Sequence, residues 1–427
     1  MRKALIALAT FMAVLAATVS YAQVPAARES AAGAVAQGRG GEAQPPVIYQ
    51  TAKLTASDGV TGNDFGYTVA VWANTVVAAA PDQSPSGAYV FVKPETGWAD
   101  MTETAKLTTT EGYAIWAVAV SGNTVVAADC TAAYVFVEPP TGWSGMTQTA
   151  TLTASDDQGL CSVAISGRTI VAGAPGALGG EGEAYVFVEP ETGWVNMTQN
   201  AILTSTDGTT NPGLGYSIAI SGDTVLAGGG QGGEASAGAV WIFVEPAGGW
   251  VNMTETAELT PSDPVFDEGF GNDVGISGNT ATVGAPNDVF NGKNWIGALY
   301  VFVEPEGGWA NMTQTAKLTA SDGGIDDQLG NSAAISGNWA LGGAPQYEPF
   351  GHTGDGKAYL FHKPTTGWNN MLETVELKAS DETECSAFGV GSRISGGTVV
   401  VGAAGRCANG GGTTGEPGAA YVFSLPQ

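Results

Sequence analysis

Two histidines, four cysteines and 41 acidic residues are the groups from which any chemistry in this sequence has to be built. A histidine pair serves as a metal site or proton relay only where the two rings converge. His352 and His362 instead bracket a run that reads as one extended strand, and at ~3.3 Å per residue that strand holds them roughly 20 to 30 Å apart. His362 stands where the equivalent positions hold Val or Ser, and it reads as a surface substitution beside a loop. A pair of carboxylates suits glycoside hydrolysis, yet no spacing singles out two of the 41 acids. The reading is therefore of a chain without catalytic residues, cofactor or metal.

The elements that position these residues come from a repeat. A phrase of the form Ala-Tyr-x-Phe recurs with variations at Phe91, Phe136, Phe187, Phe243, Phe302, Phe361 and Phe423. Gly-Trp follows six of these seven copies, at Trp98, Trp143, Trp194, Trp250, Trp309 and Trp368. Each Gly-Trp leads to a Thr-Ala-x-Leu-like run, and one surplus run, TAKLTASDG, lies at residues 51–59. Every copy holds four short runs rich in β-branched and aromatic residues, punctuated by Gly, Pro, Asn and Asp, as strands joined by tight turns require. In the first copy these are FGYTVAV, NTVVAAA, GAYVFV and TAKLT, strands A to D. Seven such units predict an all-β fold, a seven-bladed β-propeller of four-stranded antiparallel blades. The surplus N-terminal strand, VIYQTAKLT at 47–55, is expected to complete the last blade and close the ring, which otherwise exposes an unpaired edge.

The phrases DFGYTVAV...VVAAAP, GFGNDVGI...ATVGAP and AFGVGSRI...VVVGAA resemble the Phe-Gly and Gly-Ala-Pro signature of FG-GAP repeats, found in the N-terminal propeller of integrin α chains and in secreted bacterial proteins. The resemblance covers nearly all of residues 47–427 and implies the propeller. Its functional implication is looser, because one architecture hosts many tasks. Integrin-like copies often carry an Asp-x-Asp-x-Asp-Gly calcium loop between strands A and B. Here that turn is Ser-Gly-Asn-Thr or a variant, with Asp223 the lone acid, so those sites do not carry over. Acids gather instead between strands D and A, at Asp58, Asp64, Asp156, Asp157, Asp263, Asp267, Glu268, Asp322, Asp326, Asp327, Asp381, Glu382 and Glu384. Lacking calcium-loop spacing, they read as solvated turn residues; calcium held by one or two of these loops is the alternative. Three Asn-Met-Thr sequons, at Asn196, Asn252 and Asn311, recur because the repeat recurs.

Residues 1–22 place Arg2 and Lys3 before an apolar run and end in small residues at Ala22, a secretory signal peptide. Residues 23–46 are a flexible Ala/Gly/Pro linker, and 47–427 form the propeller. A formal charge of -26 without any basic cluster makes nucleic acid and anionic membranes poor partners. The expectation is a monomer that is secreted, held at the cell surface or periplasmic, with no membrane insertion after signal cleavage. All four cysteines map to the face shared by the D-to-A and B-to-C connections, and an oxidising compartment predicts disulfides Cys130–Cys161 and Cys385–Cys407. On that face the B-to-C connection grows from three residues in the second copy to sixteen in the seventh. The tall loops over blades five to seven bear Asp288, Phe290, Trp295, Tyr347, Phe350 and His352. Aromatic residues on long surface loops are costly to leave in water and are common in recognition sites; mutual packing of these rings is the plainer alternative. The functional reading is a recognition or adhesion module, not an enzyme, whose loop face meets an extracellular protein or glycan. A polysaccharide hydrolase or lyase with carboxylates in the central cavity, and a structural subunit of a surface or matrix assembly, are the competing readings.

Overall fold

The computed structural model describes residues 45–83, 86–206, 213–230, 238–265, 268–289, 295–345, 356–381, 386–405 and 417–425. Residues 1–44, and with them the expected signal peptide, lie outside that set, as do Phe290, Tyr347, Phe350, His352, Cys385 and Cys407. Seven sheets form a seven-bladed propeller. In blade one, Thr68–Trp72, Thr75–Ala79, Ala88–Val92 and Ala105–Thr108 are strands A to D, each antiparallel to the next. The A strands of successive blades pack on one another around the ring, which places them innermost. Strands B and C are buried on both faces, since each blade lies between two others, and so they read as continuous apolar runs. Among the described residues no helix is long and apolar enough to cross a membrane.

Each blade has five strands, not the four that the repeat predicts. The fifth strand of blade one, Met146–Thr147, runs parallel to Leu107–Thr108 and comes from the second copy. The phrase Asn-Met-Thr-Gln-Asn shows what it does. Asn196 accepts the Thr151 N–H at 2.9 Å, Met197–Thr198 pairs with Leu152–Thr153, and Gln199 accepts the Ser155 N–H at 3.0 Å. Asn252 and Asn311 accept the N–H of Ile202 and Glu258 in the same way. The sequon asparagines thus satisfy backbone donors along the outer strand of the preceding blade, an edge that would otherwise invite pairing with other chains.

Ring closure also differs from the expectation. Ala52–Thr55 is strand D of blade seven, antiparallel to Ala419–Ser424, but Val47–Tyr49 runs parallel to Glu376–Lys378 as the fifth strand of blade six. VIYQTAKLT is therefore divided between two blades. The division follows from the repeat itself, because Val47–Tyr49 holds the place of the Met-Thr edge strand, which always belongs to the blade before.

The Phe-Gly and Gly-Ala-Pro phrases lock neighbouring blades. Phe65, Leu214, Phe270, Leu329 and Phe388 are buried, and the glycines after them, Gly66, Gly215, Gly271, Gly330 and Gly389, have φ between 89° and 97°. Each presents its carbonyl to the Gly-Ala-Pro glycine of the blade before. A Cβ on Gly173 would lie 2.0 Å from Gly215 O, and one on Gly402 would lie 1.9 Å from Gly66 O. Five of the seven seams share this glycine pair. At the other two, Trp116 and Cys161 make the own-blade backbone bond that Gly66 makes in blade one, and the facing glycine is replaced by Ala79 and Ala128. The second of these seams carries the Cys130–Cys161 disulfide between blades two and three, in the pairing expected from sequence.

Candidate binding face

Of the loop residues singled out from sequence, the structure describes two. Trp295 keeps 38% of its surface exposed at φ 57°, and its carbonyl accepts the Gln328 N–H of the next blade at 3.0 Å. Asp288, expected beside the aromatic loop residues, is fully buried instead. The Lys317 Nζ lies 2.6 Å from its Oδ2, and the Tyr300 hydroxyl donates to the same oxygen at 3.1 Å. The first residues of that loop turn inward because Lys317, on strand D, offers a buried cation. His362 ends strand C of blade six with its ring 4.5 Å from that of Trp339.

The D-to-A acids are not merely solvated. Asp58 accepts from the Tyr89 hydroxyl at 2.8 Å and from Lys106 at 2.6 Å, and Asp322 accepts from the Tyr359 hydroxyl at 2.8 Å and from Lys357. Asp156 with Tyr185, Asp263 with Tyr300 and Lys317, and Asp381 with Lys53 repeat the arrangement. One repeated aspartate thereby anchors the connection that leaves a blade onto strand C or D of the next. Burial works against the Asp58 anion, but the bonds from Lys106 and Tyr89 prevail and hold its carboxyl below the ordinary value. In blade five the cluster is deeper. Lys317 also reaches Asp263 at 2.7 Å, its ammonium lies 5.1 Å from the Tyr300 ring centre, and Glu268 is fully buried beside them. Glu268 Oε2 accepts the Val265 N–H at 3.2 Å, while Oε1 meets no donor among the described residues. Burial pushes the Glu268 carboxyl up to about 8, against the Val265 bond and with the Asp288 charge adding to it.

A propeller has a channel along its axis, and on this face the heads of the innermost strands stand around it. Tyr67 of blade one and Trp116 of blade two meet edge to face, their ring centres 5.9 Å apart at 84°. Burial pushes the Tyr67 phenol up to about 12, with Tyr216 of blade four and Asp82 adding to the shift. Tyr216 holds the equivalent place, directly before strand A of blade four. On the remaining arc Arg393 of blade seven reaches past blade six to Asp273 of blade five, with two bonds of 2.7 and 3.2 Å. Ala333 of blade six donates its N–H to the same carboxylate at 2.8 Å, and the Asn272 side chain donates to Asn331 O at 2.8 Å. The rim is thus aromatic over blades one, two and four and polar over blades five to seven. None of these residues was singled out from sequence. Their common signal is position, since all follow closely on the Phe-Gly place of their copy, where the chain turns onto the axis.

The family profile for FG-GAP repeats matches residues 49–91, 197–243, 253–302 and 312–361. Each match starts on or beside a donated edge strand and ends at the strand C phenylalanine of the following copy, so the matched unit contributes strands to three successive blades. The chain thus carries FG-GAP repeats at four positions on a seven-bladed β-propeller, consistent with the integrin α-like type. No curated protein matches the chain. Among solved structures, the computationally designed protein Ika8 is similar at a TM-score of 0.47 and 13% identity, over 88% of this chain and 100% of that one.

Proposed function

We propose that this propeller is a secreted or cell-surface recognition module that presents its D-to-A and B-to-C face to an extracellular protein or glycan and does no chemistry of its own. One observation carries the reading. Five of the seven seams repeat one glycine latch, while length variation is concentrated in B-to-C loops that all emerge on one face. A rigid scaffold with variable loops on one side is how binding surfaces are commonly built. Secretion is supported by the signal-peptide pattern and by a disulfide that an oxidising compartment sustains. At the axis, Asp273 is already engaged by Arg393 and a backbone N–H, which favours recognition over acid–base work there. The test is capture: purified propeller, residues 45–427, is offered to arrays of extracellular proteins and glycans and to the host's extracellular fraction. Saturable binding at micromolar concentration, reduced by substitutions on the loop face and not by substitutions on the opposite A-to-B turns, is expected. Absence of any saturable partner would overturn the reading.

A further inference from the structure

We infer that the channel mouth beside blade two is a binding site for a neutral oligosaccharide, a deepening of the recognition reading on which it rests. A sugar ring offers two apolar C–H faces and a rim of hydroxyls, so a site for it combines exposed aromatic faces with fixed hydrogen-bonding groups in a concave setting. The mouth supplies both. Tyr67 and Trp116, both half-buried, stand nearly perpendicular with ring centres 5.9 Å apart, and Tyr216 at the head of strand A in blade four leaves 39% of its surface exposed. Blades five to seven, the remaining arc, hold Asn272, Asn331 and the Arg393–Asp273 pair.

Charge selects the class of ligand. The formal charge of -26 disfavours an anionic glycan, and the Arg393 guanidinium is matched by two bonds to Asp273, so the mouth offers an anion no uncompensated cation. A polyol needs none, and amide, guanidinium and carboxylate groups all bond hydroxyls.

Access and rigidity favour the side of blade two. Its B-to-C connection is the shortest of the seven, so the wall beside Trp116 is the lowest. That wall is also fixed. Asp129 accepts from Thr131 N and Oγ1, from Ala132 N and from the Tyr134 hydroxyl, and Cys130 is tied to Cys161 of blade three. The Trp116 backbone N–H donates to Ala128 O within the same blade. A platform ordered before the ligand arrives loses little freedom on binding. Tyr113, 47% exposed, lies three residues before Trp116 on the D-to-A connection that enters blade two.

The experiment immobilises residues 45–427 and titrates maltohexaose, cellohexaose, mannohexaose and N-acetylchitohexaose, with Trp fluorescence as a second readout. Binding of at least one is expected, together with a shift in emission from Trp116. Trp116→Ala and Tyr216→Ala should each weaken it about tenfold, the loss of one ring contact. Trp116→Phe, which keeps a ring and guards against misfolding, should retain most of it, while Trp72→Ala, beside the A-to-B turn on the opposite face, should leave it unchanged. Sugar binding that survives both Trp116→Ala and Tyr216→Ala, or depends on Trp72 instead, overturns the site while leaving recognition standing. Capture of a protein partner with no binding of any of the four sugars overturns the oligosaccharide and again spares the recognition reading. Failure of both kinds of partner overturns both.

Discussion

Replacing Gly284 by alanine tests whether the glycine pairs hold the blades at their spacing. Gly284 lies in strand B of blade five, and its Cβ would meet Gly330 O, C and Cα of blade six at 2.0, 2.9 and 3.1 Å. Ordinary contact begins at 3.4 Å, so the seam must open locally by 3.4 − 2.0 = 1.4 Å. No side chain can swing aside, because all three atoms are backbone. Both segments are also tied down: Gly284 pairs with Leu299 in its own sheet, and Gly330 N bonds Gly343 O at 3.0 Å. Overpacking a core typically costs ~1–3 kcal/mol, and a contact between two backbones belongs at the upper end. About 3 kcal/mol corresponds to a fall in Tm of roughly 5 °C in a domain of this size. Thermal unfolding and urea titration of the variant measure it. The control is Ala128→Gly, at a seam where the facing residue is Cys161, for which a change within ~1 kcal/mol is expected. An unchanged Tm and urea midpoint for Gly284→Ala would refute the latch.

Three further outcomes are expected. Reduction, or the Cys130→Ala/Cys161→Ala pair, should lower stability by about 3–4 kcal/mol on the chain-entropy model for a separation of 31 residues, read by thermal unfolding with and without reductant. Glu268 titrates at about 8 when folded and near 4.5 when unfolded, so the unfolded chain binds fewer protons between those values. Its contribution is full below 4.5 and is lost as pH rises through about 8, at no more than roughly 1.4 kcal/mol per pH unit; Glu268→Gln should remove that slope, and equal urea midpoints at pH 5.5 and 8.5 in the native protein would contradict the assignment. Truncation should act in steps. Removal of residues 23–44 leaves Tm unchanged, removal through Tyr49 uncovers the edge of blade six at modest cost, and removal through Thr55 strips strand D from blade seven and causes aggregation, as light scattering at matched concentration would show.

Blade count, the all-β class and the Cys130–Cys161 pairing were legible in the sequence, because each rests on recurrence: seven copies of one phrase, and cysteines mapping to one face of neighbouring copies. What recurrence does not reveal is which blade a short segment serves. Met146–Thr147 is two residues long and carries no alternating pattern, so nothing local marks it as a strand. It becomes one only because Leu107–Thr108, in the preceding copy, offers an open edge. VIYQTAKLT looks like one strand for the same reason and is two. Asp288 reads as a loop acid until Lys317, from the following strand D, supplies the ammonium that draws it inward. The aspartates after strand D likewise acquire tyrosine and lysine partners from the next blade. At the channel mouth, Asp273 and Arg393 belong to copies far apart in sequence, and only closure of the ring brings them together. Side-chain pattern and turn chemistry are properties of a few neighbouring residues, and they specify the blade. Hydrogen-bond partners, burial and charge in this protein are largely supplied by a different copy, and those were decided by the ring.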